Sequence, residues 1–196
     1  MKIIGITGGI GSGKSYVLEM MKETYNAVIC QTDLVAHQLQ EKGKECYRKI
    51  VEEFGEMILT DAKEIDRKKL GEIVFNNADK LQKLNQIVHP AVKMRVKSEI
   101  ERARKEKCEI FLIESALLME DHYEEICDEL WYIYADENVR RERLKIFRLM
   151  SDEKIDLVMK TQATEKVFRK YCHRTIDNSG TMENTKKQIE QAVNRR

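Results

Sequence analysis

Eight residues near the start of the chain constrain its fold more than any other stretch. The segment Gly8-Gly9-Ile10-Gly11-Ser12-Gly13-Lys14-Ser15 matches GxxxxGK followed by Ser or Thr, and it follows a β-branched run that begins at Ile3. Glycines let the backbone wrap a polyphosphate closely, and a helix that begins near Gly13 directs the positive end of its dipole toward the anion. The sequence therefore predicts a P-loop between a strand and a helix, in an α/β protein that binds a nucleotide.

The residues of this loop have expected tasks. Lys14 reaches the β- and γ-phosphates of the nucleotide, and the Ser15 hydroxyl is a ligand for Mg²⁺. The residues expected to bind the nucleotide are Gly9, Gly11, Ser12, Gly13, Lys14, Ser15 and Tyr16.

The composition limits the other possibilities. A chain of 196 residues is long enough for one well-buried core but would crowd a second independent domain, so we expect one domain with inserted helices. The 35 basic and 34 acidic residues leave a net charge of +1, which argues against a broad basic face that binds nucleic acid. Any anion-binding site must therefore be local.

The sequence gives no sign of membrane insertion, secretion or disulfide bonding. The longest apolar run, Ile110 to Met119, is interrupted by Glu114 and is too short to span a bilayer. Met1 and Lys2 lead directly into the first strand, which argues against a signal peptide. The five cysteines are odd in number and include no CxxC pair. We therefore expect reduced thiols in a cytoplasmic protein that has no membrane partner.

Asp33 follows the second predicted strand, Ala27 to Cys30, at the edge of the sheet where ligands bind in open α/β folds. It could be the N-cap of a helix over residues 34–40. It could also accept a proton from a substrate hydroxyl, or contact the metal through water. The neighbouring phosphate loop favours the second interpretation.

Residues 41–104 have a charged, helical pattern with little strand character. We expect helices over Ile65 to Phe75, Leu81 to Val88 and Ala91 to about Arg104, with Pro90 ending the middle one. Such an insert is typical of a subdomain that holds a substrate, although it could be ordinary crossover packing. His89 could be a structural histidine or an extended residue before proline.

Glu114 closes the apolar strand that begins at Ile110. An acid at this place can hold Mg²⁺ and its water, or it can be a surface carboxylate at a strand end, and the residue alone does not decide between them. A loop or short helix follows at residues 115–120.

The segment after the next strand, Leu130 to Ala135, is rich in arginine. Asp136 can cap a helix that runs to about Leu149, on which Arg140 and Arg143 lie one turn apart. Clustered arginines are usually a solvated helix face, but their planar forks also suit phosphate oxygens. The remaining elements expected are a helix over 151–167 capped by Ser151, a strand over 175–178 and a helix over 183–194.

With these residues in view, the chain resembles the dephospho-coenzyme A kinases over nearly its whole length. The matching parts are Thr7 to Ser15, Asp33 with Ala36, His89-Pro90, Leu117-Leu118 with Glu120, Arg143-Leu144, Gln162-Ala163 and Ile176 to Gly180. The P-loop alone indicates only nucleotide binding. The ordered set of segments is far more specific.

The resemblance implies a three-layer P-loop kinase fold with a five-stranded parallel sheet. Its core would comprise about residues 1–35, 106–135 and 170–196, with a helical coenzyme-binding insert over about 36–105 and a lid over about 136–169. It also implies transfer of the γ-phosphoryl group of ATP to the ribose 3′-hydroxyl of dephospho-CoA, with Mg²⁺ as cofactor. We expect a monomer or a small homo-oligomer.

The resemblance also assigns tasks to individual residues. Asp33 would be the catalytic base, and Lys14, Arg140 and Arg143 would act on the phosphates. Ser15 and Glu114 would hold the metal, and Asn178 would lie near the adenine. The residues expected at the dephospho-CoA site are Asp33, His89, Leu117 and Glu120.

Two alternatives remain at this point. The first is a kinase of the same architecture that acts on another small hydroxyl acceptor, such as a nucleoside or nucleotide. The second is a nucleotide-binding regulator with weakened transferase activity. Phe147 motivates the second alternative, because it stands where the family pattern has another lid arginine.

Overall fold

The computed structural model describes residues 1–194. The strands are β1 (Lys2–Thr7), β2 (Val28–Gln31), β3 (Ile110–Glu114), β4 (Glu129–Tyr134) and β5 (Arg174–Asp177). The helices are α1 (Lys14–Tyr25), α2 (Thr32–Leu39), α3 (Glu45–Phe54), α4 (Arg67–Phe75), α5 (Ala78–Lys105), α6 (Glu137–Arg148), α7 (Asp152–Lys160), α8 (Glu165–Tyr171) and α9 (Met182–Asn194). Short 3₁₀ helices lie at Glu56–Ile58 and Tyr123–Glu125.

The strands form a five-stranded parallel sheet in the order β2-β3-β1-β4-β5. The central strand β1 is apolar along almost its whole length, because helices cover both faces of such a sheet. Its last residues, Ile6 and Thr7, lie beside Glu114 of β3 and Tyr132 of β4. The α/β fold class predicted from the sequence is confirmed, and the P-loop begins at the carboxyl edge of the sheet.

The described residues divide into two compact units. One consists of Met1–Ile29 together with the chain from Ala103 onward, and the other of Cys30–Arg102. The core of the first unit packs α1 and α9 against the sheet. Its larger buried side chains are Ile4, Ile6, Val17, Met21, Leu112, Trp131, Ile133, Ile176 and Ile189.

In the second unit, the prediction of two helices separated by Pro90 is wrong, since α5 is one continuous helix with Pro90 inside it. Proline removes one backbone donor and crowds the preceding turn. A buried stripe of Val88, Val92, Val96 and Ile100 continues past the proline at four-residue spacing. Packing of that face outweighs the local cost, so His89 is helical rather than extended.

The single helix predicted over 151–167 is also wrong, because the structure has α7 and α8 with a break at residues 161–164. Thr161 and Thr164 bound the break, and β-branched residues of this kind are weak helix formers. The Ser151 cap itself is confirmed, because its hydroxyl accepts from the Lys154 N–H at 3.4 Å.

The cysteines are free thiols. Burial raises the pKa of Cys127 to about 12 and the pKa values of Cys30 and Cys172 to about 11. These thiols are therefore protonated at neutral pH. Among residues 1–194, we find no helix with both the length and the apolar character needed to cross a membrane.

Candidate nucleotide-binding site

The glycine-rich segment forms a loop from the end of β1 to the start of α1. Gly13 is the N-cap of α1 and has a φ of 86°, a left-handed conformation that glycine adopts without strain. The first turn of α1 carries no acidic residue, so no side-chain carboxylate there offsets the positive end of the helix dipole. This local geometry suits an anion at the helix N-terminus.

Arg140 on α6 approaches the loop so closely that Gly9 and Gly11 leave no room for a side chain. A Cβ atom on Gly9 would lie 2.5 Å from the Arg140 guanidinium, and one on Gly11 would lie 2.9 Å from the Arg140 carbonyl oxygen. The Ser12 hydroxyl is buried without a hydrogen-bond partner, which makes it a polar group suited to a ligand oxygen. The residues present therefore fit a bound polyphosphate.

The residues after the glycines differ in exposure. The Lys14 ammonium donates to the Gly8 carbonyl at 2.7 Å and lies 3.4 Å from the Gly9 carbonyl, so its charge is held at the loop. Ser15 is exposed in the first turn of α1. Tyr16 is half-buried and packs against the core cluster.

Arg140 and Arg143 both contact the P-loop from α6. The Arg140 Nε donates to the Ile10 carbonyl at 2.8 Å. The Arg143 guanidinium donates to the Asn178 carbonyl at 2.8 Å and lies 3.5 Å from the Ser12 carbonyl. The two arginines thus share one helix face, as their spacing predicts, and that face meets the loop backbone.

The start of α6 is fixed at the carboxyl edge of the sheet. Asp136 caps the helix by accepting from the Asn138 N–H at 2.9 Å, and its own N–H donates to the Ser179 hydroxyl at 2.8 Å. Ser179 lies two residues after the end of β5, so the helix begins beside the strand ends. The fixed start of α6 positions Arg140 and Arg143 against the P-loop.

The end of α6 is exposed. Phe147 has 80% of its surface accessible, and Arg148 is also exposed. Arg141 donates to Asp156 at 2.5 Å and Lys145 pairs with Asp152 at 2.7 Å, which join α6 to α7. Phe147 lies one turn beyond Arg143 on the same side of α6, and its side chain is exposed.

Gln162 is a site residue to which the sequence assigned no task. It lies in the break between α7 and α8, and its Oε1 accepts from the Ile10 N–H at 2.9 Å and lies 3.4 Å from the Arg140 guanidinium. The only signal in the sequence was its membership of the family pattern. Its contact spans 152 residues, which no local pattern could indicate.

Aromatic packing holds α8 against β4 and so positions the break that carries Gln162. The rings of Tyr132 and Phe168 stack with centroids 4.6 Å apart. Burial, together with the nearby Glu165 carboxylate, raises the pKa of Tyr132 to about 12. Tyr132 is therefore a neutral packing residue at physiological pH.

Asn178 connects β5 to the P-loop. It is 5% exposed, and its amide nitrogen donates to the Ser12 carbonyl at 2.8 Å. Its amide oxygen accepts from the Thr185 hydroxyl at 2.9 Å. Its predicted position near the adenine stays a prediction.

The predicted metal ligand Glu114 and the predicted substrate-binding residues Leu117 and Glu120 lie at or just after the carboxyl end of β3. Glu114 is the last residue of β3 and lies beside Ile6, while Leu117 and Glu120 are exposed in the turn that follows. Within the described part of the chain, no three His, Cys, Asp or Glu side chains gather as a metal site. The tasks proposed for these residues stay predictions.

Asp33 and His89 belong to the second unit. Asp33 is exposed in the first turn of α2, and Gln31 rather than Asp33 is the N-cap residue of that helix. The interpretation of Asp33 as a helix cap is therefore wrong, which leaves its carboxylate for another task. His89 is half-buried in α5.

Comparison with known proteins identifies the family of this chain. The family model described as dephospho-CoA kinase matches residues 2–184. The chain belongs to the dephospho-CoA kinase family. It is 40% identical over 191 residues to a dephospho-CoA kinase from Aquifex aeolicus, an alignment that covers 96% of this chain and 94% of the relative.

Solved structures agree with the family assignment at the level of the fold. A protein from Thermus thermophilus aligns with a TM-score of 0.83 and 25% identity, covering 98% of this chain and 96% of its own. Dephospho-CoA kinase from Campylobacter jejuni aligns with a TM-score of 0.71 and 24% identity, over the same shares of the two chains. The predicted P-loop kinase fold is thereby confirmed.

Proposed function

We propose that this protein transfers the γ-phosphoryl group of ATP to the ribose 3′-hydroxyl of dephospho-CoA, the last step in the synthesis of coenzyme A. The observation that carries the proposal is a complete P-loop, contacted by Arg140 and Arg143, in a chain that belongs to the dephospho-CoA kinase family. We propose the cytoplasm as its location, because free thiols of the kind found here persist in reducing compartments.

Positioning and charge stabilisation carry most of the catalysis in phosphoryl transfer. The loop N–H groups and Lys14 would hold the phosphate oxygens, since the Lys14 ammonium already lies at the loop. The Arg140 guanidinium lies against Gly9, where it would add positive charge beside the phosphates. Arg143 holds the loop backbone and supports this arrangement.

Mg²⁺, when bound, would neutralise charge on the phosphate oxygens of ATP. Ser15 and Glu114 would hold it, and oxygen donors of this kind are the ligands that Mg²⁺ prefers. Ser15 is exposed in the first turn of α1, and Glu114 ends the strand next to β1. The donor set therefore fits a magnesium ion beside the P-loop.

Asp33 is the proposed base. Its carboxylate would accept the proton of the ribose 3′-hydroxyl while that oxygen forms a bond to the γ-phosphorus. The bond from the γ-phosphorus to the bridging oxygen breaks, and ADP leaves with the electron pair. His89, Leu117 and Glu120 are proposed to contact the coenzyme.

The test is incubation of the purified protein with ATP, Mg²⁺ and dephospho-CoA, followed by mass spectrometry of the acceptor. We expect dephospho-CoA to gain one phosphoryl group, with adenosine and AMP as control acceptors that gain none at the same enzyme concentration. Unmodified dephospho-CoA at high enzyme concentration would contradict the proposal. Faster transfer to either control acceptor would favour a kinase of different specificity.

A further inference from the structure

The Ser12 carbonyl is held from outside the P-loop. The Asn178 amide nitrogen donates to it at 2.8 Å, and an Arg143 guanidinium nitrogen lies 3.5 Å away. In a trans peptide the carbonyl and the following N–H point in opposite directions. Drawing the Ser12 carbonyl toward Asn178 therefore turns the Gly13 N–H away from Asn178, which fixes the direction of a loop donor at the start of α1.

This contact depends on which way the Asn178 carboxamide faces. Its amide nitrogen must face Ser12, because a flipped amide would set its oxygen against the Ser12 carbonyl and place two acceptors together. The Asn178 main chain is itself fixed, since its N–H donates to the Tyr134 carbonyl at 2.8 Å and its carbonyl accepts from Arg143. The remaining freedom is the rotation of the carboxamide.

Thr185 on α9 meets the oxygen of that carboxamide. Its hydroxyl lies 2.9 Å from Asn178 Oδ1, and its other acceptor, the Thr181 carbonyl, is farther away at 3.4 Å. Thr185 is 0% exposed and Asn178 is 5% exposed, so water has little access to replace this donor. Without the hydroxyl, a buried amide oxygen would lose its hydrogen bond.

We propose that Thr185 is a positioning residue of the nucleotide site, which acts through Asn178 on the peptide between Ser12 and Gly13. The Thr185 hydroxyl keeps the carboxamide in the orientation that donates to the Ser12 carbonyl. The C-terminal helix thereby supports the P-loop. The identity of the nucleotide as ATP rests on the function proposed above.

The test compares Thr185→Val with Thr185→Ser by calorimetric titration of ATP in the absence of any acceptor. Valine keeps the volume and removes the hydroxyl, and we expect it to raise the Kd for ATP roughly fivefold to tenfold, the scale of one buried hydrogen bond. Serine keeps the hydroxyl, and its Kd should stay within about twofold of the unsubstituted protein. An unchanged Kd in the valine variant, or a serine variant as weak as valine, would overturn the proposal.

Two controls separate positioning from a general loss of stability. Thr181→Ala removes a side-chain cap of α9, where the Thr181 hydroxyl accepts from the Asn184 N–H at 3.3 Å, and should leave ATP binding within about twofold. In an Asn178→Ala background, Thr185→Val should cause no further loss. The proposal would be overturned if Thr181→Ala weakened ATP binding as much as Thr185→Val does. It would also be overturned if Thr185→Val weakened ATP binding to its full extent in the Asn178→Ala background.

Kinetic measurements test whether the effect of Thr185 is confined to the nucleotide site. Thr185→Val should raise the KM for ATP and leave the KM for dephospho-CoA unchanged, and a rise in both would contradict the proposal. If no variant phosphorylates dephospho-CoA, the proposed function fails while the titration still decides the task of Thr185. If the valine variant does not unfold cooperatively, Thr185→Ala replaces it with the same expected results.

Discussion

Asp33 is the residue on which the proposed chemistry depends most directly. Asp33→Asn keeps the shape of the side chain and removes the base, so we expect kcat to fall by about 10²- to 10⁴-fold. Affinity for ATP should stay within about twofold, because the P-loop is untouched. Initial rates and ATP titration would measure the two effects separately.

The second unit offers a matched control for this substitution. Asp79 lies in the first turn of α5 as Asp33 lies in the first turn of α2, so Asp79→Asn removes a comparable interaction with a helix dipole. We expect Asp79→Asn to keep kcat within about twofold. Equal losses in both variants would mean that the Asp33 effect is structural.

Gly13 combines a left-handed backbone with a crowded environment. A Cβ on Gly13 would overlap the Asn178 amide nitrogen, whereas one on Gly43, which has a similar φ of 88°, would meet nothing within 4 Å. We expect Gly43→Ala to cost about 1 to 2 kcal/mol of unfolding free energy through backbone strain alone. Gly13→Ala should cost more and should abolish measurable ATP binding.

Denaturant unfolding and ATP titration of the two alanine variants would check this prediction. Gly43→Ala should bind ATP like the unsubstituted protein. Undiminished ATP binding by Gly13→Ala would show that the Asn178 contact does not shape the loop.

At the scale of elements, Glu129 joins β4 to β5. Its carboxylate accepts two hydrogen bonds from Arg174, at 2.7 and 2.9 Å, one from the Trp131 indole at 2.7 Å, and pairs with Lys2 at 3.2 Å. Arg174 is the main cause that lowers the pKa of Glu129 to about 2, and the side chain is only 17% exposed. The charged form is therefore stabilised in the folded protein.

The lowered pKa of Glu129 predicts that the free energy of unfolding depends on pH. A lowered pKa in the folded state stabilises the protein above the ordinary value of 4.5, and the contribution is lost as the pH falls toward about 2. We expect it to amount to about 2 to 3 kcal/mol. Glu129→Gln should remove it, so the free energy of unfolding measured in urea should depend less steeply on pH between about pH 5 and about pH 2.

Glu142, an exposed carboxylate on α6, provides the comparison for Glu129. Glu142→Gln removes one exposed carboxylate and leaves the ion pair of Glu129 with Arg174 in place. Identical slopes for Glu129→Gln and Glu142→Gln would contradict the assignment.

The elements differ in how far local sequence could predict them. The strands β1, β3 and β4 are nearly continuous apolar runs. Such runs can be recognised from a few neighbouring residues, so the positions of these strands could be predicted from the local sequence. The continuity of α5 through Pro90 depends on a buried stripe that forms only in the folded unit. The break between α7 and α8 likewise accompanies a contact of Gln162 with the distant P-loop.

The site divides in the same way. The P-loop is a local motif, and the shared face of Arg140 and Arg143 follows from their helical spacing. The contact of Asn178 with Ser12 spans 166 residues, and its support by Thr185 depends on how α9 packs. Such tertiary contacts could not be predicted from sequence patterns, because no periodicity links the partners.

For the whole molecule, the position of the transferred phosphate decides whether the protein catalyses the proposed reaction. Phosphorus NMR of the product from ATP, Mg²⁺ and dephospho-CoA would distinguish the hydroxyls of the ribose. We predict a new phosphomonoester on the 3′-oxygen, formed in step with ADP. A phosphate on any other oxygen, or release of inorganic phosphate alone, would contradict transfer to the 3′-hydroxyl of dephospho-CoA.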